Sequence, residues 1–383
     1  MESLVTGMFA DAFRGRRIWL SGHTGFKGCW LATWLLQLGA RVHGFSLQPP
    51  TTPSLFEQIG LGAEMEHEIG DIRDAATVAK SIRAAEPEFV FHLAAQSLVR
   101  LSYEEPVETY DTNVMGTVHV LDALRRSARP CVAVMITTDK CYENREWLHP
   151  YREEDPLGGY DAYSSSKAAA EIAIAAYRRS FFSLPNDNKI AVASARAGNV
   201  IGGGDWALDR IVPDAVRSLR RDEAIPVRNK SATRPWQHVL EPLSGYLSLA
   251  AGMAQAIRDA NPKRASELCA PFNFGPRIEA NKTVEKLVLE IVKNWPGDWT
   301  DQSDSTAPHE AGKLNLAIEK AQHLLNWSPV WNFEQTVAQT IEWYHCGAAD
   351  ATKTQPAMRE FTHDQIRQYV SDARSARLAW AKP

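Results

Sequence analysis

Short apolar runs alternate with longer amphipathic stretches from residue 16 onward. The runs IWL at 18–20, VHGF at 42–45, FVFHL at 89–93, CVAVMI at 131–136 and IAVASA at 190–195 are of strand length and almost uninterrupted by polar residues. A parallel sheet covered on both faces requires such strands. Phe26, Trp30, Leu31, Trp34, Leu35 and Leu38 recur at helical spacing after the first run, and residues 107–124 and 162–181 are long enough for full helices. Strand–helix units repeated in this order predict an α/β fold, a doubly wound parallel sheet whose ligand crevice lies at the carboxyl ends of the strands. Beyond about residue 200 the pattern loosens. Gly202–Asp205, Pro213, Pro226, Pro235 and Pro242 punctuate it, and helical spacing returns at Val284, Leu287, Val288, Ile291 and Val292. This predicts a first domain over 14–200 and a smaller mixed C-terminal substrate-binding lobe over 201–383, with segments near 236–241 and 270–276 returning to the first domain.

Composition narrows the function classes. The chain has 383 residues, 42 Lys and Arg against 46 Asp and Glu, and a formal net charge of −4. That balance offers no bulk attraction for nucleic acid or an anionic membrane, so any bound phosphate must be held by local groups. The five cysteines, Cys29, Cys131, Cys141, Cys269 and Cys346, never form a Cys-x-x-Cys pair. A reducing, cytoplasmic setting fits them better than a disulfide framework or a zinc site. The first fifteen residues lack a basic segment followed by an apolar run, and the stretch 29–38 is broken by Thr33 and Gln37. Neither a signal peptide nor a membrane span is expected. His149, His309, His323 and the other histidines lack ligand-type partners at helical spacing, so no metal is expected.

The first strand runs into Ser21-Gly22-His23-Thr24-Gly25-Phe26-Lys27-Gly28. Glycines in a strand-to-helix turn let the backbone approach a pyrophosphate, whose charge then sits on the helix N-terminus. This turn is expected to bind a dinucleotide. Leu93, Ala94, Ala95 and Gln96, at the end of a later strand, leave room for the cofactor to pass. Asp71 and Ile72 sit where the adenine amino edge would lie, although Asp71 could instead cap the helix beginning near Asp74. Ser46 closes the second strand, where neither the acid that marks NAD nor an arginine that marks NADP is present. Tyr163 and Lys167 are one helical turn apart, and an ammonium beside a phenol favours the phenolate, which makes Tyr163 a candidate base. Thr137, Thr138 and Asp139 follow directly on the fourth of these runs and emerge at the crevice.

GHTGFKG, HLAAQ, NVMGT (113–117), TTDKCY (137–142) and YSSSK (163–167), in this order, resemble the extended short-chain dehydrogenase/reductase family, specifically its nucleotide-sugar branch. TDK in place of TDE, together with GNVIGGGDWALDRIVPDA (198–215) and ATRPWQHVLEPLSGYL (232–247), is similar to the CDP-glucose 4,6-dehydratases of that branch. The resemblance runs from about residue 14 to 345. It implies a Rossmann domain, bound and recycled NAD, and a catalytic set of Thr138, Tyr163 and Lys167, with Asp139 and Lys140 handling elimination. It places Asn113 and Thr137 with the cofactor residues. On the substrate side it places Gln96, Arg100, Asn199, Arg210 and Arg234, with Asn199 and Arg234 at the pyrophosphate, while Trp236 and His238 either line the nucleotide pocket or pack. The implied reaction oxidises glucose carbon 4, eliminates water across carbons 5 and 6, and returns hydride to carbon 6. A nucleotide-sugar 4-epimerase would share Tyr163 and Lys167 with less use for Asp139 and Lys140, and a non-catalytic dinucleotide sensor would have lost one of the first pair. The family's four-helix packing implies a homodimer or homotetramer through 107–124 and 162–181.

Overall fold

The computed structural model describes residues 7–127, 129–182, 190–303, 313–348 and 355–382; His309 lies outside them. The first half alternates β1 (Arg17–Ser21), α1 (Phe26–Gln37), β2 (Arg41–Ser46), α2 (Leu55–Gln58), β3 (Glu66–Ile69), α3 (Ala75–Ala85), β4 (Phe89–His92), α4 (Val99–Glu104), α5 (Pro106–Tyr110), α6 (Gly116–Ser127), β5 (Cys131–Ile136), α7 (Ala162–Ser180) and β6 (Ile190–Ala197). The second half continues with β7 (Val200–Ile201), α8 (Ile211–Leu219), β8 (Ile225–Val227), β9 (Thr233–Pro235), β10 (Gln237–His238), α9 (Leu240–Arg258), α10 (Pro262–Leu268), β11 (Pro271–Phe274), β12 (Asn281–Thr283), α11 (Val284–Asn294), β13 (Trp299–Asp301), α12 (Glu319–Leu325), α13 (Phe333–Ala348) and α14 (Gln355–Ser375).

Seven strands form one sheet in the order β11-β6-β5-β4-β1-β2-β3, and every pairing in it is parallel. The chain reverses direction across the sheet between β1 and β4, and ligands of doubly wound sheets bind outside the carboxyl ends at such a point. Alternation along β1 shows why the strands are apolar throughout. Ile18 and Leu20 join a core with Trp30, Trp34 and Leu243, whereas Trp19 points the other way, into a core with Ile82, Leu121 and Ile174. Helices α1 and α9 supply the first layer; α3, α6 and α7 supply the second.

The second half is more intermingled than a separate lobe. Pro271–Phe274 extends the main sheet beside β6, but Gln237–His238 pairs with Val200–Ile201 in a small sheet of its own. Two further two-stranded sheets, β9 with β12 and β8 with β13, lie beyond it. Helix α9 packs on β5 and β6, and α14 packs on α1. Trp380 stacks on Phe9 at 5.0 Å and meets Trp34 of α1 edge-on at 5.9 Å, so both ends of the described chain brace the helix that opens at the glycine turn. Residues 107–124 are not one regular helix: between α5 and α6, Asp111–Met115 forms a π-helical turn carrying Asn113. Among the described residues no helix is long and apolar enough to cross a membrane, no cluster of His, Cys, Asp and Glu could hold a metal ion, and the five cysteines are free thiols.

Candidate active site

The turn after β1 depends on two glycines. Gly22 has φ +79°, and a Cβ there would lie 2.8 Å from Ala94 N; a Cβ on Gly28 would lie 2.0 Å from Gly22 O. The residue before α1 is Gly25, which offers no side-chain cap, so the first N–H groups of a twelve-residue helix point unclaimed toward the crevice. Thr24 donates to Leu47 O (2.9 Å) and meets Ser46 Oγ at 2.8 Å. These two hydroxyls tie the glycine turn to the end of β2.

A closed relay holds the next strand end. Ser21 Oγ accepts from the N–H groups of Leu93 and Ala94 (both 3.1 Å) and lies 2.7 Å from His92 Nδ1. His92 Nε2 lies 3.1 Å from Thr117 Oγ1, which itself donates to Asn113 O. Each hydroxyl has one proton, so Ser21 donates to Nδ1 and the imidazole carries its proton on Nε2. Burial pushes its pKa down to about 3, so it stays neutral.

Several of the predicted residues take part in hydrogen bonds and packing within the fold. Asn113 donates to Gln96 O (3.0 Å) and Ser166 Oγ (2.9 Å) and accepts from Gln96 N (2.9 Å). It clamps the loop after β4 to α7. The Gln96 amide donates to Leu98 O and Thr109 Oγ1, so it is likewise committed. Asp71 is gripped by Arg73 at 2.6–3.0 Å, which holds its carboxyl below the usual range, and the helix cap is Asp74, not Asp71. Ile72 packs in the core. Thr137 gives its hydroxyl proton to Glu171. Trp236 is buried and donates to Lys282 O (3.0 Å). His238 is fully buried, edge-on to Trp30 and Trp331, and burial pushes its pKa down to about 3. Both side chains are enclosed by their neighbours. Arg100 lies toward the rim, 3.5 Å from Asp209, and Asn199 is half-buried between β6 and β7.

The remaining predicted groups converge. Beyond β5, Thr138 caps the turn Asp139–Cys141, donates to Asp139 Oδ1 (3.0 Å) and hydrogen-bonds Tyr163. Asp139 is 2% exposed; burial holds its carboxyl above the usual aspartate range against the pull of Lys140, Thr138 and Arg234. Lys140 Nζ stands 5.9 Å from the centre of the Tyr163 ring. Burial pushes the Tyr163 phenol up to about 12, opposed by the Thr138 bond and by Arg210. Lys167, expected to make Tyr163 acidic, instead donates to Ile136 O (3.4 Å) and is pushed down to about 8 by burial. Lys27 enters from the glycine turn, 3.4 Å from Tyr246 Oη and facing Arg210, Asp139 and Lys167; burial pushes it down to about 8. Arg210 is paired with Asp205 (2.8 Å) and reaches Ser97 Oγ at 3.4 Å. A buried phenol, a buried carboxyl held above its usual range and several cations thus face one another at the strand ends. Proton transfer to and from a substrate that develops negative charge is the chemistry this set suits.

Sequence reading missed Asp205, Gly198, Tyr246, Glu171 and Arg196. Arg196 carried a signal: it is a lone charge in the apolar strand IAVASARA, and a buried charge needs a partner.

Residues 20–340 match the model of the GDP-mannose 4,6 dehydratase family. The chain is 48% identical over 336 residues to a CDP-glucose 4,6-dehydratase from Salmonella typhimurium, covering 87% of this chain and 91% of that one. It resembles a crystal structure of dTDP-glucose 4,6-dehydratase from Bacillus anthracis in complex with NAD (TM-score 0.69, 21% identity, 86% of this chain and 96% of that one). It also resembles a UDP-glucose 4-epimerase with UDP-glucose from Thermotoga maritima (TM-score 0.69, 20% identity, 86% and 98%). The chain belongs to the GDP-mannose 4,6 dehydratase family, within the extended short-chain dehydrogenases/reductases.

Proposed function

We propose that this protein is a CDP-glucose 4,6-dehydratase, a lyase that converts CDP-glucose to CDP-4-keto-6-deoxyglucose and water with recycled NAD. The observation that carries the reading is the juxtaposition of Tyr163, Thr138, Asp139 and Lys140 beyond β5, since an epimerase has less use for a buried carboxyl and an ammonium beside the phenol. The relative at 48% identity supports the cytidine nucleotide.

The chain's own groups fit NAD. Backbone space at Gly22 and Gly28 and the uncapped start of α1 suit a pyrophosphate. When bound, NAD supplies a hydride acceptor at carbon 4, a hydride donor for carbon 6, and a positive charge beside the phenol. Tyr163 Oη, held beside Thr138, takes the proton of the carbon-4 hydroxyl. The resulting ketone acidifies the proton on carbon 5. Lys140 acts on that proton or on the enolate it leaves, and Asp139 protonates the departing carbon-6 hydroxyl. Arg234 and Arg210 are the cations that hold the substrate pyrophosphate.

The protein works in the cytoplasm as a homodimer or homotetramer. Val107 is 80% and Ile172 58% exposed on α5 and α7, and Val107, Tyr110, Val114, Met115 and Ala169 line a groove of about 690 Å³ whose remaining lining, Arg73, Glu105, Glu108 and Asp111, is charged. A second copy packing there buries that apolar stripe. The test of the activity is incubation with CDP-, dTDP-, UDP- and GDP-glucose. A 4-keto-6-deoxy product is expected from CDP-glucose first, and a carbon-4 epimer alone would refute the reading.

A further inference from the structure

Helix α7 carries a second charged residue that the reaction above does not use. Glu171 lies one turn beyond Lys167 and is 2% exposed. Its carboxylate accepts from Thr137 Oγ1, from Ser194 Oγ (2.8 Å) and from Arg196 Nη2 (2.9 Å). Arg196, also 2% exposed, donates through Nη1 to Tyr142 Oη (2.8 Å) and Glu153 O (3.0 Å), and its guanidinium carbon lies 4.9 Å from the centre of the Tyr142 ring. Tyr142 in turn donates to Asn273 Oδ1 on β11 (2.7 Å).

Stability alone does not call for this pair. Desolvating both ions is costly, and apolar residues of similar volume often serve the fold as well or better. Its contacts show what it does. Thr137 immediately precedes Thr138, and Tyr142 immediately follows Cys141, so both ends of the segment carrying Thr138, Asp139 and Lys140 are hydrogen-bonded into one buried ion pair. The same carboxylate faces Lys167.

We propose that Glu171 and Arg196 are positioning residues for the reaction: through Thr137 and Tyr142 they fix both ends of the segment 138–141, and Glu171 supplies the counter-charge that keeps Lys167 an ammonium. This rests on the expectation, drawn from the family resemblance, that Lys167 acts as an ammonium in the catalytic set with Thr138 and Tyr163. The groups facing Lys167 come from four elements. Glu171 shares its helix, Cys141 comes from the turn after β5, Lys27 from α1 and His92 from the end of β4. Burial keeps the thiol and the imidazole neutral, and Lys27 repels. Of these four, Glu171 is the anion. Burial already pulls Lys167 down to about 8 against its attraction.

The sign of the effect follows. Without the carboxylate the ammonium is less favourable, so Lys167 loses its proton at lower pH and the alkaline limb of activity moves to lower pH. An opposite charge at close range is worth roughly one to three pH units. The experiment titrates Lys167 by NMR in substrate-free protein labelled with ¹³C-lysine, assigned by loss of its signal in Lys167→Arg. Glu171→Gln and the doubly neutral Glu171→Gln/Arg196→Gln should both titrate about one unit or more below wild type, and Glu171→Asp should stay near it. With CDP-glucose, the alkaline limb of kcat should move by the same amount, with kcat lowered more than KM is raised. An unmoved Lys167 titration in a folded variant overturns the proposal. So does failure of both variants to fold, which assigns the pair to stability alone. The titration needs no substrate, so a wild-type protein inert toward CDP-glucose would refute the proposed activity and leave this test standing.

Discussion

A methyl group at residue 198 perturbs one half of the proposed reaction and spares the other. Gly198 follows β6, and an added Cβ would lie 2.8 Å from Asp139 Oδ2, 3.5 Å from Asp139 Cγ and 3.3 Å from Pro235 Cγ. Pro235 closes the far side on β9, so the carboxyl must give way, by about 0.5 Å, to restore ordinary contact. Asp139 Oδ1 is held by Thr138, which turns that displacement into a rotation of the acid away from its substrate. Misplacement of a catalytic group by about 1 Å costs on the order of 100-fold, so half that distance should cost about 10-fold in the elimination step. Overpacking should lower stability by about 1–3 kcal/mol, readable separately by urea unfolding. In a single turnover of Gly198→Ala with CDP-glucose, the near-ultraviolet absorbance of NADH should rise at close to the wild-type rate and then decay about 10-fold more slowly. Equal slowing of rise and decay, or wild-type decay, would refute the placement of Asp139 as the acid of elimination.

Tyr163→Phe should lower NADH formation by about 100-fold to 10,000-fold, the usual contribution of a general base, with substrate affinity little changed; near-normal turnover would return Tyr163 to a packing role. Lys140→Met should still oxidise carbon 4 and accumulate NADH while carbon 5 stops exchanging with solvent deuterium. Retention of much activity in Lys140→Arg would instead assign the lysine to enolate stabilisation, because a guanidinium is never a base at working pH. Gly22→Ala combines a positive φ with a 2.8 Å approach to Ala94 N and should abolish NAD binding in a calorimetric titration while destabilising the fold by at least about 1–2 kcal/mol. Glu241 is fully buried, accepts from Val330 N, Trp331 N and Tyr369 Oη, and burial pushes it up to about 7. A carboxyl raised on folding contributes stability below its ordinary pKa and loses it as pH rises through the folded value. Unfolding free energy should therefore fall by on the order of 3 kcal/mol between about pH 5 and about pH 8, and that slope should vanish in Glu241→Gln.

What the sequence conveys about this fold follows from what each feature depends on. Strands β1, β2, β4, β5 and β6 and helices α1 and α7 were legible because burial on both faces makes parallel strands nearly pure apolar runs and because α1 must present an apolar stripe to them. The glycine turn was legible because close approach of backbone to backbone leaves only glycine, as the Gly28 geometry shows. Arrival of Thr138 and Asp139 at the crevice was legible from order along the chain, since the carboxyl ends of the strands meet there, whereas the part of Lys140 came from the family resemblance. Contacts made in the third dimension were not. Nothing in the local sequence says that Asn113 spends its amide on Gln96 and Ser166, that His238 is enclosed by Trp30 and Trp331, or that Lys167 bonds Ile136 O instead of the phenol. The share of the second half that covers the main sheet was underread for the same reason, because α9 and α14 carry apolar faces that would suit any neighbour.

The measurement that tests the central claim most directly is a side-by-side incubation of the protein, with NAD present, with CDP-, dTDP-, UDP- and GDP-glucose, scored by mass and NMR of the sugar and by absorbance of NADH. The account predicts loss of water from CDP-glucose to give a 4-keto-6-deoxy sugar, with the hydrogen of carbon 4 recovered on carbon 6, a solvent hydrogen on carbon 5 and no net NADH. Net accumulation of NADH in step with substrate consumed, or a product that differs from CDP-glucose only in configuration at carbon 4, would contradict it.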